Sequence, residues 1–327
     1  MSLDINPSSR QILETLTREG LLSDLIQAGG RIHQAGCNGC IGMGQAPASG
    51  RISLRTVPRN FPGRSGTRED SVYLCSPETA TASALTGVIT DPRDLGMDYP
   101  IVAEPARIAV NTAMLVPPQP VLESQQAKLE KTVNIASIPE LDMLPDAVDL
   151  PVVLKAGDDV STDDIVPAGT RVMPFWSNIP ALGRYVYEQL DPDYAARAAA
   201  SLNSGGHVLV GGNNYGQGSS RENAALAPRY LGLRVAIARS FARIHWQNLV
   251  NFGVLPLTFA DKTDYDRVIR GDRVQLTGLR RALRSGRTVT ATIGGRHVTL
   301  THNLSPRQVD IVLAGGVINW LREHVAA

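Results

Sequence analysis

The sequence is short of cysteine, nearly devoid of net charge and without a long apolar run, and each shortage excludes a class of protein. Three cysteines in 327 residues are too few, and odd in number, for a secreted disulfide framework. Two of them stand in a C-x-x-C spacing that suits metal or redox chemistry in a reducing compartment. Lys and Arg number 32 against 31 Asp and Glu, a net charge of +1. That balance argues against the broad basic footprint of a nucleic-acid partner and leaves small anionic ligands open. No apolar stretch approaches the roughly 20 residues that a membrane-crossing helix needs. The opening residues, MSLDINPSSR, have neither the basic nor the apolar region of a signal peptide. The expectation is a cytoplasmic protein without a membrane partner.

What remains is ordinary globular material, 43% hydrophobic and 19% charged, long enough for two domains with separate cores. In the first block, Ser8-x-x-Gln11 has a capping-box pattern ahead of Ile12, Leu13, Leu16, Leu21, Leu22, Leu25 and Ile26. This predicts helix, interrupted at Gly20 and stopped at Gly29-Gly30. Residues 51–57 read as β, and Ser76-Pro77-Glu78 starts a helix that runs to about Gly87. Residues 118–149 are polar and proline-punctuated, the composition of a linker. The second block, 150–327, alternates strands at 152–155, 207–210, 235–238 and 254–259 with helices near 180–200, 220–230 and 243–251. Strands at 273–276, 288–293 and 297–301 follow, the last two joined at Gly294-Gly295, and a helix near 305–314 closes the block. The class is mixed α/β.

Four motifs carry chemistry. Gly36-Cys37-Asn38-Gly39-Cys40-Ile41-Gly42 places two thiols on a glycine-rich loop. That spacing is compatible with zinc, a redox disulfide, an iron–sulfur cluster or packed thiols. Cys75, inside the apolar run Val72-Tyr73-Leu74, reads as buried filler. Arg59-Asn60-Phe61-Pro62-Gly63-Arg64 offers two guanidinium forks suited to carboxylates, or else a solvated loop. The run from Gly211 to Glu222, GGNNYGQGSSRE, joins a strand to a helix, where glycines admit a ligand to the backbone and the helix start favours an anion. Asp158 to Asp164, DDVSTDD, either binds a cation, positions an arginine, or forms a capped turn.

Taken in order, CIGMGQAP, RNFPGRSGT, YLCSPETATASALTGVITDPR, STDDIVPAG, NNYGQGSSRENAALAPRYLG, SFARIHWQNL and VLPLTFAD resemble the aconitase superfamily over nearly the whole chain. The resemblance implies a partial three-layer α/β/α domain at 1–117, a linker at 118–149, and a mixed β/β/α swivelling domain at 150–327. It implies a hydro-lyase that isomerises a hydroxy-tricarboxylate such as citrate by dehydration and rehydration. Cys37 and Cys40 then match two of the three cysteine ligands of a 4Fe-4S cluster, whose open iron acts as a Lewis acid. Arg59 and Arg64 match arginines that grip substrate carboxylates, and Asp163 matches an acidic active-site residue. Ser219 matches the base that abstracts the substrate proton, with Ser220 binding substrate and Arg221 stabilising the alkoxide.

The chain also departs from the family pattern. It has Cys37-Asn38-Gly39-Cys40 where relatives have Cys-Gly-Pro-Cys, Pro58 where they have Asn, and Asp164 and Asn223 where they have His. The family's third cluster cysteine lies upstream of the C-x-x-C, and the acid that protonates the leaving hydroxyl lies in earlier domains. The chain is therefore expected to be a fragment or subunit that needs an N-terminal aconitase chain or associates with itself. An isopropylmalate- or homoaconitate-type isomerase subunit, or a non-catalytic binding module, are the alternatives.

Overall fold

In a computed structural model the chain forms two compact units, Met1–Ala127 and Lys128–Ala327. The structure describes all residues except 37, 58, 61, 62, 68, 70, 104–109, 129, 169, 170, 326 and 327.

The first unit contains two small parallel sheets. Strands β1 (Leu3–Ile5) and β2 (Gly30–Ile32) pair with each other, and β3 (Ile52–Arg55) pairs with β4 (Ser71–Leu74). The expected helices are present at Arg10–Arg18 and Leu21–Gln27, split at Gly20. The first is capped one residue later than the sequence suggested. Ser9, not Ser8, is extended and accepts the amide of Ile12 at 3.1 Å, and no Glu or Gln stands at the third helical position to complete a capping box. Ser76 caps the helix Pro77–Thr86, which ends at Gly87 in the left-handed region. Much apolar side-chain surface in this unit is exposed, including Ile52, Leu85 and Val88.

In the second unit, β5 (Val148–Lys155), β6 (His207–Gly211), β7 (Leu233–Ala238) and β8 (Leu255–Phe259) run parallel. Strands β9 (Arg273–Leu276), β10 (Thr288–Ile293) and β11 (Arg296–Thr301) pair antiparallel and close the sheet into a seven-stranded barrel, β10-β11-β8-β7-β6-β5-β9. The patterns explain the arrangement. Strands β6 and β7 are apolar at nearly every position because both faces are covered: Val208, Val210, Val235 and Ile237 point into one core, while Leu209, Ala236 and Ala238 pack into the other with the helices Thr162–Ile165, Ile179–Leu182, Tyr194–Ser201 and Asn223–Tyr230. Strands β9 and β10 alternate exposed and buried residues, as one-sided strands do. Gly294 and Gly295, at φ +54 and +78, supply the two left-handed positions of the β10–β11 turn.

The helix expected near 180–200 is broken, since Tyr187 sits at φ +57 between short helical pieces. A final helix, Val317–Val325, was not expected from the sequence. The second half of the linker-like stretch packs on the barrel unit. Leu144 is buried and its amide reaches the Leu313 carbonyl at 3.2 Å, while Arg229 and Asn319 hold the carbonyls of Asp142 and Leu141. Few apolar side chains are needed there, because the backbone itself is bonded.

Ile237 is fully buried at the barrel centre. Ile237→Ala is expected to destabilise the second unit by about 2–5 kcal/mol in urea unfolding. Leu85→Ala, at an exposed site of the first unit, should change stability by no more than about 0.5 kcal/mol.

Candidate active site

Two loops of the second unit leave the carboxyl ends of the adjacent parallel strands β5 and β6, the edge at which α/β sheets bind ligands. They are stitched together along the backbone. The amides of Gly216 and Gln217 donate to the Val160 carbonyl at 2.7 and 3.1 Å, and Thr162 N donates to Gln217 O at 2.8 Å. Gly216 lies at φ +83, and a Cβ there would sit 2.2 Å from His245, so the loop lies directly on that buried ring. At the outer edge Asp158 accepts from the backbone and side-chain amides of Asn213 at 2.7 and 3.1 Å, which hold its carboxyl below the usual range.

The acidic motif divides its labour. Asp164 takes the amide and hydroxyl of Ser161 at 2.8 and 2.7 Å in a capping box, a structural role. Asp163 is turned to the other loop, where its Oδ1 accepts from Arg221 Nη1 at 2.5 Å. The same Nη1 reaches the Val166 carbonyl at 3.3 Å. Arg221 is buried, with 7% of its side chain exposed against 40% for Asp163. Ser219 is half-buried, with its carbonyl held by Thr162 Oγ1 at 3.2 Å, and Ser220 is exposed. Both precede the helix Asn223–Tyr230, whose N-cap residue Glu222 makes no side-chain cap. That end carries amides and a partial positive charge suited to an anion.

Behind the loop is a row of buried rings that no local sequence pattern announces. Tyr215 stacks edge-on against His245, its hydroxyl pairs with that of Tyr187, and Tyr187 packs on Tyr194. Tyr194 in turn bonds His207 Nε2 at 2.8 Å, and Ser201 meets its Nδ1 at 3.0 Å. Burial lowers the His207 imidazole to about 3, with Arg234 adding to the effect, and burial lowers His245 to about 4.

In the first unit, Cys37 lies outside the described residues. Cys40 is buried, and Arg64 directs Nε and Nη2 at its sulfur, 3.3 and 3.2 Å away. The arginine assigned to substrate therefore also touches the cysteine loop. Arg59 is half-buried and makes no hydrogen bond or ion pair among the described residues. Arg55, which the motifs did not single out, clamps the loop by donating to the carbonyls of Gly39 and Gln45. Asn6 and Gln45 exchange amide bonds at 2.9 and 3.0 Å beneath it. Gly42, at φ +76, passes so near Ser65 that a Cβ would lie 2.1 Å from its carbonyl oxygen. Cys75 is half-buried against the Arg55 carbonyl. Among the described residues no three His, Cys, Asp or Glu side chains converge to hold a metal. The described thiols thus do not complete the ligand set of a cluster.

Residues 1–87 match the model of the aconitase family (aconitate hydratase), and residues 184–262 match that of the aconitase C-terminal domain. The chain belongs to the aconitase family. It is similar to a putative mitochondrial aconitate hydratase of Aspergillus fumigatus, 33% identical over 98% of this chain and 46% of that protein. A putative mitochondrial aconitate hydratase of Emericella nidulans is 34% identical over 98% and 46%, and the mitochondrial aconitate hydratase of Saccharomyces cerevisiae 28% over 97% and 46%. The chain thus spans about half the length of the curated relatives it matches. Among solved structures, a 3-isopropylmalate dehydratase of Methanocaldococcus jannaschii aligns at 27% identity and TM-score 0.45, over 55% of this chain and 96% of that one.

The cytoplasmic expectation is corrected by these aconitase relatives, which are named as mitochondrial proteins. Few cysteines in a C-x-x-C spacing do not distinguish one reducing compartment from another. No helix among the described residues is long and apolar enough to cross a membrane.

Two measurements test this site. His207 and His245 resist protonation when folded, whereas an unfolded histidine takes a proton near pH 6.5. Their contribution is fully present above that pH and is lost as pH falls, on the order of 2 kcal/mol for each between pH 7 and 5. Urea unfolding across that range should show the loss, and His207→Gln should remove part of the slope. Arg55→Ala gives up two charge-assisted bonds to the cysteine loop, each worth about 1.5–3 kcal/mol. Alkylation of Cys40 by iodoacetamide, read by mass spectrometry, should accelerate about tenfold or more.

Proposed function

We propose that this aconitase-family chain carries part of the active site of a hydro-lyase acting on a hydroxy-tricarboxylate, and that it works with the portion of the enzyme it does not span. The observation that carries this reading is the meeting of Asp163 with Arg221 beside Ser219 at an uncapped helix start.

Ser219 Oγ, which makes no hydrogen bond among the described residues, removes the proton from the carbon next to a substrate carboxylate. The positive helix end and the Arg221 guanidinium favour the charged form of the serine at that moment. Asp163 fixes Arg221 through Nη1, so that the guanidinium enters the reaction already oriented. Ser220, exposed beside it, binds substrate, and Arg59 grips a carboxylate by its forked donors; Arg64, whose Nε and Nη2 face the Cys40 sulfur, joins it by turning that edge to the substrate. Cys37 and Cys40 supply two ligands of the 4Fe-4S cluster general to the family. The third ligand, and the acid that protonates the leaving hydroxyl, belong to an N-terminal chain or region. The exposed apolar side chains of the first unit and its two-stranded sheets support a partner of this kind, or self-association in its absence.

The test is the absorbance of the unsaturated acid formed from citrate, isocitrate, isopropylmalate and homocitrate, with and without the complementary N-terminal chain, after iron and sulfide reconstitution. The lone chain should be inactive. In the paired enzyme Ser219→Ala should cost on the order of 10²–10⁴ in rate, and Arg221→Lys nearly as much, because an ammonium cannot reproduce the fork. Turnover by the lone chain, or an unimpaired Ser219→Ala, would overturn the proposal.

A further inference from the structure

Arg221 donates two hydrogen bonds from one nitrogen, Nη1, to Asp163 and to the Val166 carbonyl. Its Nε and Nη2 make none among the described residues, and that edge is the one that receives a carboxylate in a two-bond grip. Both bonds are made at one nitrogen, at 2.5 and 3.3 Å, so the opposite edge of the guanidinium is held by no hydrogen bond among the described residues and takes its support from what packs on its face. Trp176 is the side chain in that place. Its ring lies 5.4 Å from the guanidinium carbon of Arg221, within cation–π range. Its backbone carbonyl accepts from Asn223 Nδ2 at 3.0 Å, which ties the segment carrying the indole to the start of the helix that follows Ser219.

The choice of tryptophan is informative. The indole Nε1 is buried with no hydrogen-bond partner among the described residues, and a stranded donor is a cost that phenylalanine would avoid while filling similar space. Packing alone therefore favours Phe. What tryptophan adds is the strongest ring face for a cation, and the cation it meets is Arg221.

We propose that Trp176 is a positioning residue for Arg221, holding the guanidinium plane so that its Nε–Nη2 edge is presented to a carboxylate of the ligand. This rests on the hydro-lyase reading only in taking that ligand to be a tricarboxylate. It makes Asn223, through the Trp176 carbonyl, an indirect contributor to the same orientation.

The experiment uses the full chain and the variants Trp176→Phe, Trp176→Leu, Arg221→Gln and the double variant Trp176→Leu/Arg221→Gln. Urea unfolding of the four-member cycle built on Leu and Gln should give a coupling of roughly 2–30-fold in the unfolding constant; a coupling near one-fold overturns the contact, with no ligand required. Calorimetric titration with citrate then separates positioning from packing. Trp176→Phe should leave stability equal or higher, because the stranded donor is gone, yet weaken citrate binding several-fold, and Trp176→Leu should weaken it more. Binding unchanged in both while Arg221→Gln binds poorly would overturn the positioning role alone. Binding unchanged even in Arg221→Gln would overturn the assignment of the arginine, and with it the hydro-lyase reading of this loop. A wild-type chain that takes up no citrate would overturn the inference, since it requires a working edge in this chain; the hydro-lyase reading would then stand or fall on the paired-chain assay.

Discussion

The second unit depends on the backbone stitching of two loops at one end of the barrel, where Val160 receives the amides of Gly216 and Gln217 and Thr162 reaches Gln217. These bonds are possible because β5 and β6 are neighbours and parallel, so both loops leave from the same edge. Once the loops are joined, Asp163 and Arg221 are brought within hydrogen-bond distance although 58 positions separate them in sequence. The polar chemistry follows from the strand order.

The barrel can hold such an edge because its parallel half is packed on both sides. Alternate residues of β6 and β7 enter two different cores, which leaves those strands little freedom to slip in register. The antiparallel strands β9, β10 and β11 face the interior on one side only and close the ring. Rigidity at the edge is reinforced by the buried rings of Tyr187, Tyr194, Tyr215 and His245, with Gly216 laid against the last. A residue with a side chain at 216 would have to displace the histidine or move the loop.

In the first unit the dominant feature is the hold on the cysteine loop. Arg55 binds two of its carbonyls, the Asn6–Gln45 pair supports it, and Arg64 faces the Cys40 sulfur. The family pattern that the motif resembles has proline at the position of Gly39, and a proline restricts backbone freedom by itself. In this chain Gly39 packs against Gln45 and Asn6 so closely that a Cβ would meet Gln45 Oε1 at 2.1 Å. Side-chain bonds restrain the loop in its place.

Local signals determined a good deal. The Ser76-Pro77-Glu78 start, the Gly294-Gly295 turn and the apolar parallel strands were legible because capping, left-handed φ and burial act over a few residues. The ordered motifs also determined the family, since so many long matches cannot arise from composition. Closure of the barrel was not legible, because it depends on β9 pairing with both β5 and β10 across the whole unit. Nor were the roles of Arg55, Tyr187 and Trp176, which depend on Gln45, Tyr215 and Asn223, 10 to 47 positions away. The acidic run read by itself did not separate Asp163 from Asp164, and the family resemblance picked out Asp163; the structure makes Asp164 a helix cap and Asp163 the partner of a buried arginine. Neighbouring side chains on a short helix point in different directions, and which direction meets a cation is decided by elements that the local sequence does not contain.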